Sequence, residues 1–294
     1  MKIRPECQRC LANLIDQTVA AATEAADVQE AARRRARAIL AAEFGPAAIP
    51  AVIANRFHQA IKEATGNPDP FQVRKRRETA LARQVAAQLP LPTPPDPEKL
   101  LALAAAGNAL DFFRSGAEIV RDMLAPVAFV ASDLAAWERR RQGPPGLLLY
   151  LADNAGEQFF DLPLVRCWRQ AGWQVYYVVK GRPIQNDLTR EDLEASGLAP
   201  ELAPVVDTGA ATVGLELEQA SPAFRDLFRR ADLILAKGMG HFETLASRAD
   251  QRLFFLLQAK CAPVAAALGV PERAFVLRQA GRGPGGREAP GEGS

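Results

Sequence analysis

Apolar positions recur at helical spacing through residues 1 to about 89, and from about Gly146 the pattern changes to short apolar runs separated by helical segments. Cys10 to about Ala26 and Val28 to about Phe44 carry apolar residues on one side and alanine-rich faces elsewhere, which predicts two amphipathic helices. Gly45-Pro46 breaks the second, and a third runs to about Ala64. Gly66-Asn67-Pro68-Asp69-Pro70 reads as a loop on turn chemistry alone, and a further helix follows from about Phe71 to Gln88. Pro90, Pro92, Pro94, Pro95 and Pro97 make a stiff linker. A helix pair then spans about Glu98 to Leu124, interrupted near Gly107-Asn108.

The second pattern predicts strands at 146–152, 173–179, 203–206, 232–236, 252–257 and 274–278, alternating with helices. That alternation implies an α/β class: a Rossmann-like, mostly parallel sheet flanked by helices, preceded by an all-helical part. The expected division is 1–125 helical, 126–279 α/β, and 280–294 a disordered tail, because the last stretch is rich in Gly, Pro, Arg and Glu and lacks apolar residues.

Composition narrows the function classes. The chain has 294 residues, 48% of them hydrophobic, enough for a sizeable core. A net charge of +2, 7% aromatics and no dense basic block argue against nucleic acid as a partner. Arg33-Arg34-Arg35 and Arg74-Lys75-Arg76-Arg77 read as solvated helix faces. No apolar stretch approaches the ~18 residues of a membrane span, and the N-terminus has no signal-peptide core. Four irregularly spaced cysteines fit a cytoplasmic protein better than a disulfide scaffold. The oligomeric state is left open.

Candidate chemistry gathers where strands hand over to helices. Asp153-Asn154 follows the run 146–152 and precedes Ala155-Gly156-Glu157. Ligands of open α/β sheets bind outside the carboxyl ends of the strands. Lys180, Gly181, Arg182 and Asn186-Asp187 follow the next strand, then Asp207-Thr208-Gly209, then Lys237-Gly238-Met239-Gly240-His241-Phe242-Glu243, then Lys260-Cys261. Asp153, Asn154 and Asp187 could hold one hard divalent cation through oxygen. Lys237 and Lys260 would neutralise phosphate oxygens, and the glycines around Lys237 let backbone amides approach an anion. Each residue also has a plainer reading. Asp153 can be a helix cap, Asn186-Asp187 a turn, and Asp207-Thr208-Gly209 a turn more readily than a ligand site. His58 reads as structural, and Cys167 as core. Cys7-x-x-Cys10 can be redox-active, half of a zinc site with Cys261 as third member, or packing of a helix start.

At these residues the sequence resembles the domain-of-unknown-function 89 family of metal-dependent damage-control phosphatases, and within it the small stand-alone archaeal and bacterial subfamily. The resemblance rests on Asp153-Asn154-Ala155-Gly156-Glu157, Lys180-Gly181 with Pro183, Asn186-Asp187, Val206-Asp207-Thr208-Gly209, Ala236-Lys237-Gly238, Pro5-Glu6-Cys7-Gln8-Arg9-Cys10 and Gly107-Asn108-Ala109-Leu110-Asp111. It implies hydrolysis of small phosphorylated metabolites, either sugar phosphates or damaged phosphometabolites, with manganese, cobalt, nickel or magnesium as the ion. It implies Asp153, Asn154 and Asp187 as metal ligands. It also implies Glu157, Lys237, Gly238, His241, Lys260 and Asn108 as substrate-contacting positions. Relatives usually carry Asn where this chain has His241. A histidine facing the phosphate there would titrate near neutrality. Two rival readings stand beside this one. A Rossmann-like methyltransferase or nucleotide enzyme is disfavoured, because no Gly-x-Gly-x-x-Gly or Walker loop follows the first strand. A non-catalytic phosphometabolite-binding or redox-regulated protein on the same fold is not excluded by fold.

Overall fold

A computed structural model describes residues 1–108 and 116–281. The chain opens with α1 (Glu6–Ala22), α2 (Ala26–Glu43), α3 (Pro50–Thr65) and α4 (Gln72–Ala86). The first helix begins before the expected Cys10, because Pro5 supplies a helical φ of −54° where no intrahelical N–H is needed. The third starts on Pro50 and stops at Gly66, whose φ of +67° is the left-handed turn that releases a helix end. Cys7, Leu11, Ile15 and Val19 of α1 meet Ala32, Ala36 and Leu40 of α2 and Ile53, Phe57 and Ile61 of α3 in one apolar cluster. Each wholly buried Ile or Phe there contributes about 1.5–3 kcal/mol.

After the proline linker come α5 (Pro97–Asn108) and α6 (Gly116–Leu124), then β1 (Phe129–Ser132), α7 (Leu134–Gln142), β2 (Leu147–Leu151), α8 (Gln158–Gln170) and β3 (Gln174–Val179). The chain continues through α9 (Arg190–Ala195), α10 (Ala199–Leu202), β4 (Val205–Asp207), α11 (Pro222–Arg230), β5 (Leu233–Lys237), α12 (Gly238–Leu245), β6 (Leu253–Gln258), α13 (Ala262–Leu268) and β7 (Phe275–Gln279). Among the described residues the strands form one sheet in the order β1-β7-β6-β5-β2-β3-β4. All neighbours are parallel except β6 and β7. Leu148 and Tyr150 of β2 enter the core on one face of the sheet, and Leu149 and Leu151 enter the core on the other. This is the expected α/β class.

The sequence pattern missed one strand. Phe129–Ser132 is a short edge strand with alternate residues exposed, so it lacks the continuous apolar run that marks the buried strands. At the other end, Ala280 is buried and its N–H reaches Leu253 O at 2.8 Å, so packing continues past the expected boundary at 279. Residues 282–294, most of the expected disordered tail, lie outside the described residues.

Strand order fixes where a ligand can sit. From β2 the chain moves outward through β3 and β4 on one side, while β5 and β6 lie on the other. The order therefore reverses between β2 and β5, and the crevice outside their carboxyl ends is the binding position of a doubly wound sheet. Asp153 follows β2, Lys237 ends β5, and Gly238 opens α12.

Candidate active site

Backbone hydrogen bonds join the segments that follow β2 and β3. Ala152 N–H donates to Val178 O at 2.9 Å, and Leu188 N–H donates to Asp153 O at 2.8 Å. Asn154 and Asp187 form an isolated antiparallel bridge, and Ala155 N–H reaches Asn186 O at 2.8 Å. Residues more than thirty positions apart in sequence are thereby fixed side by side. Gly238 completes the frame from β5. Its φ is +81°, and a Cβ there would overlap the Asp153 carboxylate. Glycine is required for that close approach, and Gly238, expected as a substrate contact, is not among the residues lining the adjoining cavity.

A cavity of about 500 Å³ opens over this junction. Asn108, Asp153, Asn154, Asp187 and Lys260 line it on the sheet side, and Cys7, Cys10, Leu11, Leu14, Ala51 and Ala54 line it from α1 and α3. The expected ligand set and Lys260 are therefore brought together. Asn108 lines the cavity but is already engaged. Its Nδ2 donates to Asp153 Oδ2 at 2.8 Å and Glu157 Oε1 at 3.0 Å, and its Oδ1 accepts from Gln258 N–H at 3.4 Å. Both amide hydrogens orient carboxylates, and the acceptor capacity left on Oδ1 is what Asn108 can offer a substrate.

Glu157, Lys237 and His241 do not line the cavity; they form the layer beneath it. Lys237 is wholly buried, with Nζ 2.6 Å from Glu157 Oε2 and 2.5 Å from Asp161 Oδ1. Burial alone would lower its pKa, but the Asp161 and Glu157 charges outweigh it and the ammonium is held above its ordinary value. An ammonium committed to two carboxylates cannot also neutralise a phosphate, so the expected phosphate role of Lys237 is corrected. Glu157 Oε1 accepts from Asn154 Nδ2 at 2.7 Å and from Asn108. Burial pushes the Glu157 pKa up, but Lys237 reverses this and leaves it lowered. Glu157 is thus an orienting anion for two amides and not a substrate contact. Asp161 accepts from Tyr150 Oη at 2.8 Å and Tyr177 Oη at 2.7 Å. The two tyrosines are paired directly across β2 and β3.

A second buried lysine serves Asp187. Lys180 Nζ donates to Gly214 O at 2.6 Å and lies 3.3 Å from Asp187 Oδ2. His241 Nε2 is 3.3 Å from the same ammonium, and its Nδ1 is 2.6 Å from Lys237 O. A carbonyl only accepts and an ammonium only donates, so the proton sits on Nδ1 and Nε2 is the acceptor. Burial, and then the Lys180 charge, hold the His241 pKa well below the ordinary histidine value. The expectation of a titrating, phosphate-facing His241 is therefore overturned; it is a neutral prop for Lys180.

The cavity-lining carboxylates are electrostatically crowded. Asp153 is pushed up to about 8 by burial and then by the Glu157 and Asp187 charges. Asp187 is pushed up to about 6 by burial, with Lys180 opposing. Asp187 Oδ2 is buried without a hydrogen bond despite its nearness to Lys180. Cys7, Cys10 and Cys261 are free thiols, and burial raises the pKa of each, so they stay protonated and poorly nucleophilic. Glu243, beside them in the cavity lining, is pushed up to about 7 by burial. Cys167 is in the core, as expected. Asp207 makes a turn, accepting from Gly209 N–H at 2.9 Å, and does not line the cavity.

Asp161, Tyr150 and Tyr177 were missed from sequence. The available signal was an acid four residues after Glu157 inside the apolar helical run Phe159–Val165, together with tyrosines inside apolar strands. A buried acid needs donors, and only the strands beneath α8 could supply them.

Comparison with known proteins places nearly the whole chain. A damage-control phosphatase of Pyrococcus horikoshii is 36% identical over 282 residues, covering 94% of this chain and 97% of that protein. A damage-control phosphatase of Archaeoglobus fulgidus is 32% identical, covering 92% and 96%. The crystal structure of a DUF89 family protein from Pyrococcus horikoshii superposes with a TM-score of 0.86 at 35% identity, covering 95% of this chain and 99% of that one. The model of the damage-control phosphatase ARMT1-like domain matches residues 3–276, and the chain belongs to that family.

Proposed function

We propose that the chain is a metal-dependent phosphatase that hydrolyses the phosphoester of small phosphorylated metabolites, acting in the cytoplasm. The observation that carries this reading is the convergence of Asp153, Asn154, Asp187 and Lys260 on one cavity at the β2–β5 switch point. The residues present fit a hard divalent cation. Asp187 Oδ2 is buried without a hydrogen bond, and Asn154, whose Nδ2 donates to Asp153 and Glu157, has its Oδ1 to offer a cation. Asp153 adds a carboxylate held between two amides. Among the described residues no group of three or more His, Cys, Asp and Glu side chains is arranged to hold a metal. The set is therefore two carboxylates and an amide, with room for water and phosphate, which suits magnesium, manganese, cobalt or nickel better than a closed thiolate site.

A bound cation would supply positive charge against the charge that develops on the phosphoryl oxygens. Lys260, exposed at the cavity wall, adds a mobile ammonium to the same oxygens. Asn108 and Glu157 hold Asp153 and Asn154 in place, and Lys180 does the same for Asp187. Hydrolysis forms one P–O bond to water and breaks the P–O bond to the leaving alcohol, which takes up a proton. No thiol is needed, in line with three protonated cysteines. No helix among the described residues is long and apolar enough to cross a membrane. The test is phosphate release from an aryl phosphate and a sugar phosphate with each divalent ion and with excess chelator. Asp153→Ala and Asp187→Ala are expected to fall below about 1% of wild-type activity, since even indirect support of a metal is worth 10–100-fold. Undiminished turnover in chelator, or in both variants, sinks the reading.

A further inference from the structure

The turn that delivers Asp187 contains an unusual residue. Asp187 N–H closes on Ile184 O at 3.1 Å, and the first residue between them, Gln185, has a φ of +45°. Glycine takes that position freely, whereas a side chain there costs on the order of 1–3 kcal/mol. The cost is tolerated where the side chain is put to use.

That side chain is held by the helical part of the molecule. Gln185 Nε2 lies 3.0 Å from His58 Nε2, and His58 Nδ1 lies 3.4 Å from Thr18 Oγ1. Thr18 Oγ1 donates its one proton to Leu14 O at 2.7 Å. It can therefore only accept from His58, so Nδ1 carries the hydrogen. Burial lowers the His58 pKa to about 3, so the ring is neutral and Nε2 is a lone pair that accepts from the Gln185 amide. The carboxamide orientation is thereby fixed by an unbroken donor chain. Its NH2 faces His58, and Oε1 has no partner among the described residues. Gln185 lines the cavity beside Asp187. Glu6, Glu243 and Glu272 line the same cavity and are acceptors too.

We infer that Gln185 is a specificity-determining residue whose Oε1 accepts a hydrogen bond from a hydroxyl on the non-phosphoryl half of the substrate, so that esters of hydroxylated leaving groups are selected over unsubstituted alkyl esters. This rests on the phosphatase reading above. His58 and Thr18 act through Gln185 as positioning residues.

The test compares glucose phosphate with butyl phosphate, each with manganese, on wild type, Gln185→Met and Gln185→Gly. The glycine variant removes the carboxamide while relieving the positive φ, so it guards against a folding artefact. Two readouts are taken: the ligand-induced rise in melting temperature, which needs no turnover, and KM against kcat. The wild type is expected to bind glucose phosphate more tightly. Both variants should bind glucose phosphate about tenfold more weakly, with KM raised to match, and change by less than about twofold for butyl phosphate. Equal losses on both esters would mean that Gln185 only holds the Asp187 turn, and no loss would mean that it touches nothing; either overturns the inference. So does a wild type that binds the two esters alike, or neither. If ligands bind but neither ester is hydrolysed, the phosphatase reading fails while the melting shifts still decide Gln185.

Discussion

Replacing Lys237 by Met removes a fully buried ammonium and keeps most of its volume. Two carboxylates then lose their partner: Glu157 Oε2 at 2.6 Å and Asp161 Oδ1 at 2.5 Å. Asp161 keeps its two tyrosine hydroxyls and Glu157 keeps its amide donors, so neither is stripped of hydrogen bonds. What is lost is the charge balance. Breaking a buried pair by deleting one member costs about 3–5 kcal/mol, and here the unpaired charges are two. We expect destabilisation at the upper end of that range at pH 8, or a fall in Tm on the order of 10 °C. The variant has an acid escape. Without the ammonium Glu157, now held below its ordinary value, rises above it, and Asp161, already raised by burial, rises further, so the folded state binds more protons than the unfolded chain. Its stability must then fall as pH rises, by up to about 1.4 kcal/mol per pH unit for each carboxylate still titrating. Denaturant titrations at several pH values between 5 and 8, on metal-free wild type and variant, measure this directly. A variant as stable as wild type at every pH, with a raised KM, would show that Lys237 meets the substrate and that the buried layer has been misread.

The exposed lysine should behave oppositely. Lys260→Ala is expected to lower kcat/KM by about 10²–10³ with cation affinity and Tm unchanged; a loss of cation affinity measured by calorimetry would reverse the assignment. His241→Asn should leave the pH–activity profile between pH 6 and 8 unchanged, because His241 is already neutral there. A profile that flattens in the variant would put the imidazole back on the phosphate. Asp153→Asn should abolish cation binding yet stabilise the metal-free protein. The folded pKa of about 8 exceeds the unfolded carboxylate value, so wild type loses stability as pH rises from about 4 to about 8 and the variant does not. Parallel melting curves across that window would refute it.

The parts of the molecule written in sequence are those set by local pattern. Strands β2, β3, β5 and β6 are buried on both faces and read as continuous apolar runs, and the acids and amides at their carboxyl ends follow from chain order alone. Asp153, Asn154, Asp187 and Lys260 converge because parallel topology leaves their loops on one edge. Which lysine faces the cavity was not legible. Lys237 and Lys260 both end strands, and their fates differ because α8 presents Glu157 and Asp161 to one of them, a tertiary fact with no local signature. His241 misled for the same reason. A histidine after a glycine suggests a loop facing ligand, but Gly238 begins α12 and the ring turns inward to Lys180.

Charge balance around the crevice connects these observations. Four buried carboxylates, Asp153, Glu157, Asp161 and Asp187, meet two buried ammonium groups, Lys180 and Lys237. Lys237 lies against Glu157 and Asp161, and Lys180 lies against Asp187 without fully satisfying it. The uncompensated charge falls on the cavity side, at Asp153 and Asp187, the two residues driven to about 8 and about 6. A protein built only for stability would not leave like charges buried side by side, because protonation or an apolar replacement relieves them. With all four carboxylates ionised, two negative charges exceed the two ammonium groups, and one divalent cation would supply that difference. The inner layer therefore sets Lys237 against Glu157 and Asp161 and Lys180 against Asp187, so that the remaining negative potential falls on Asp153 and Asp187, which line the cavity.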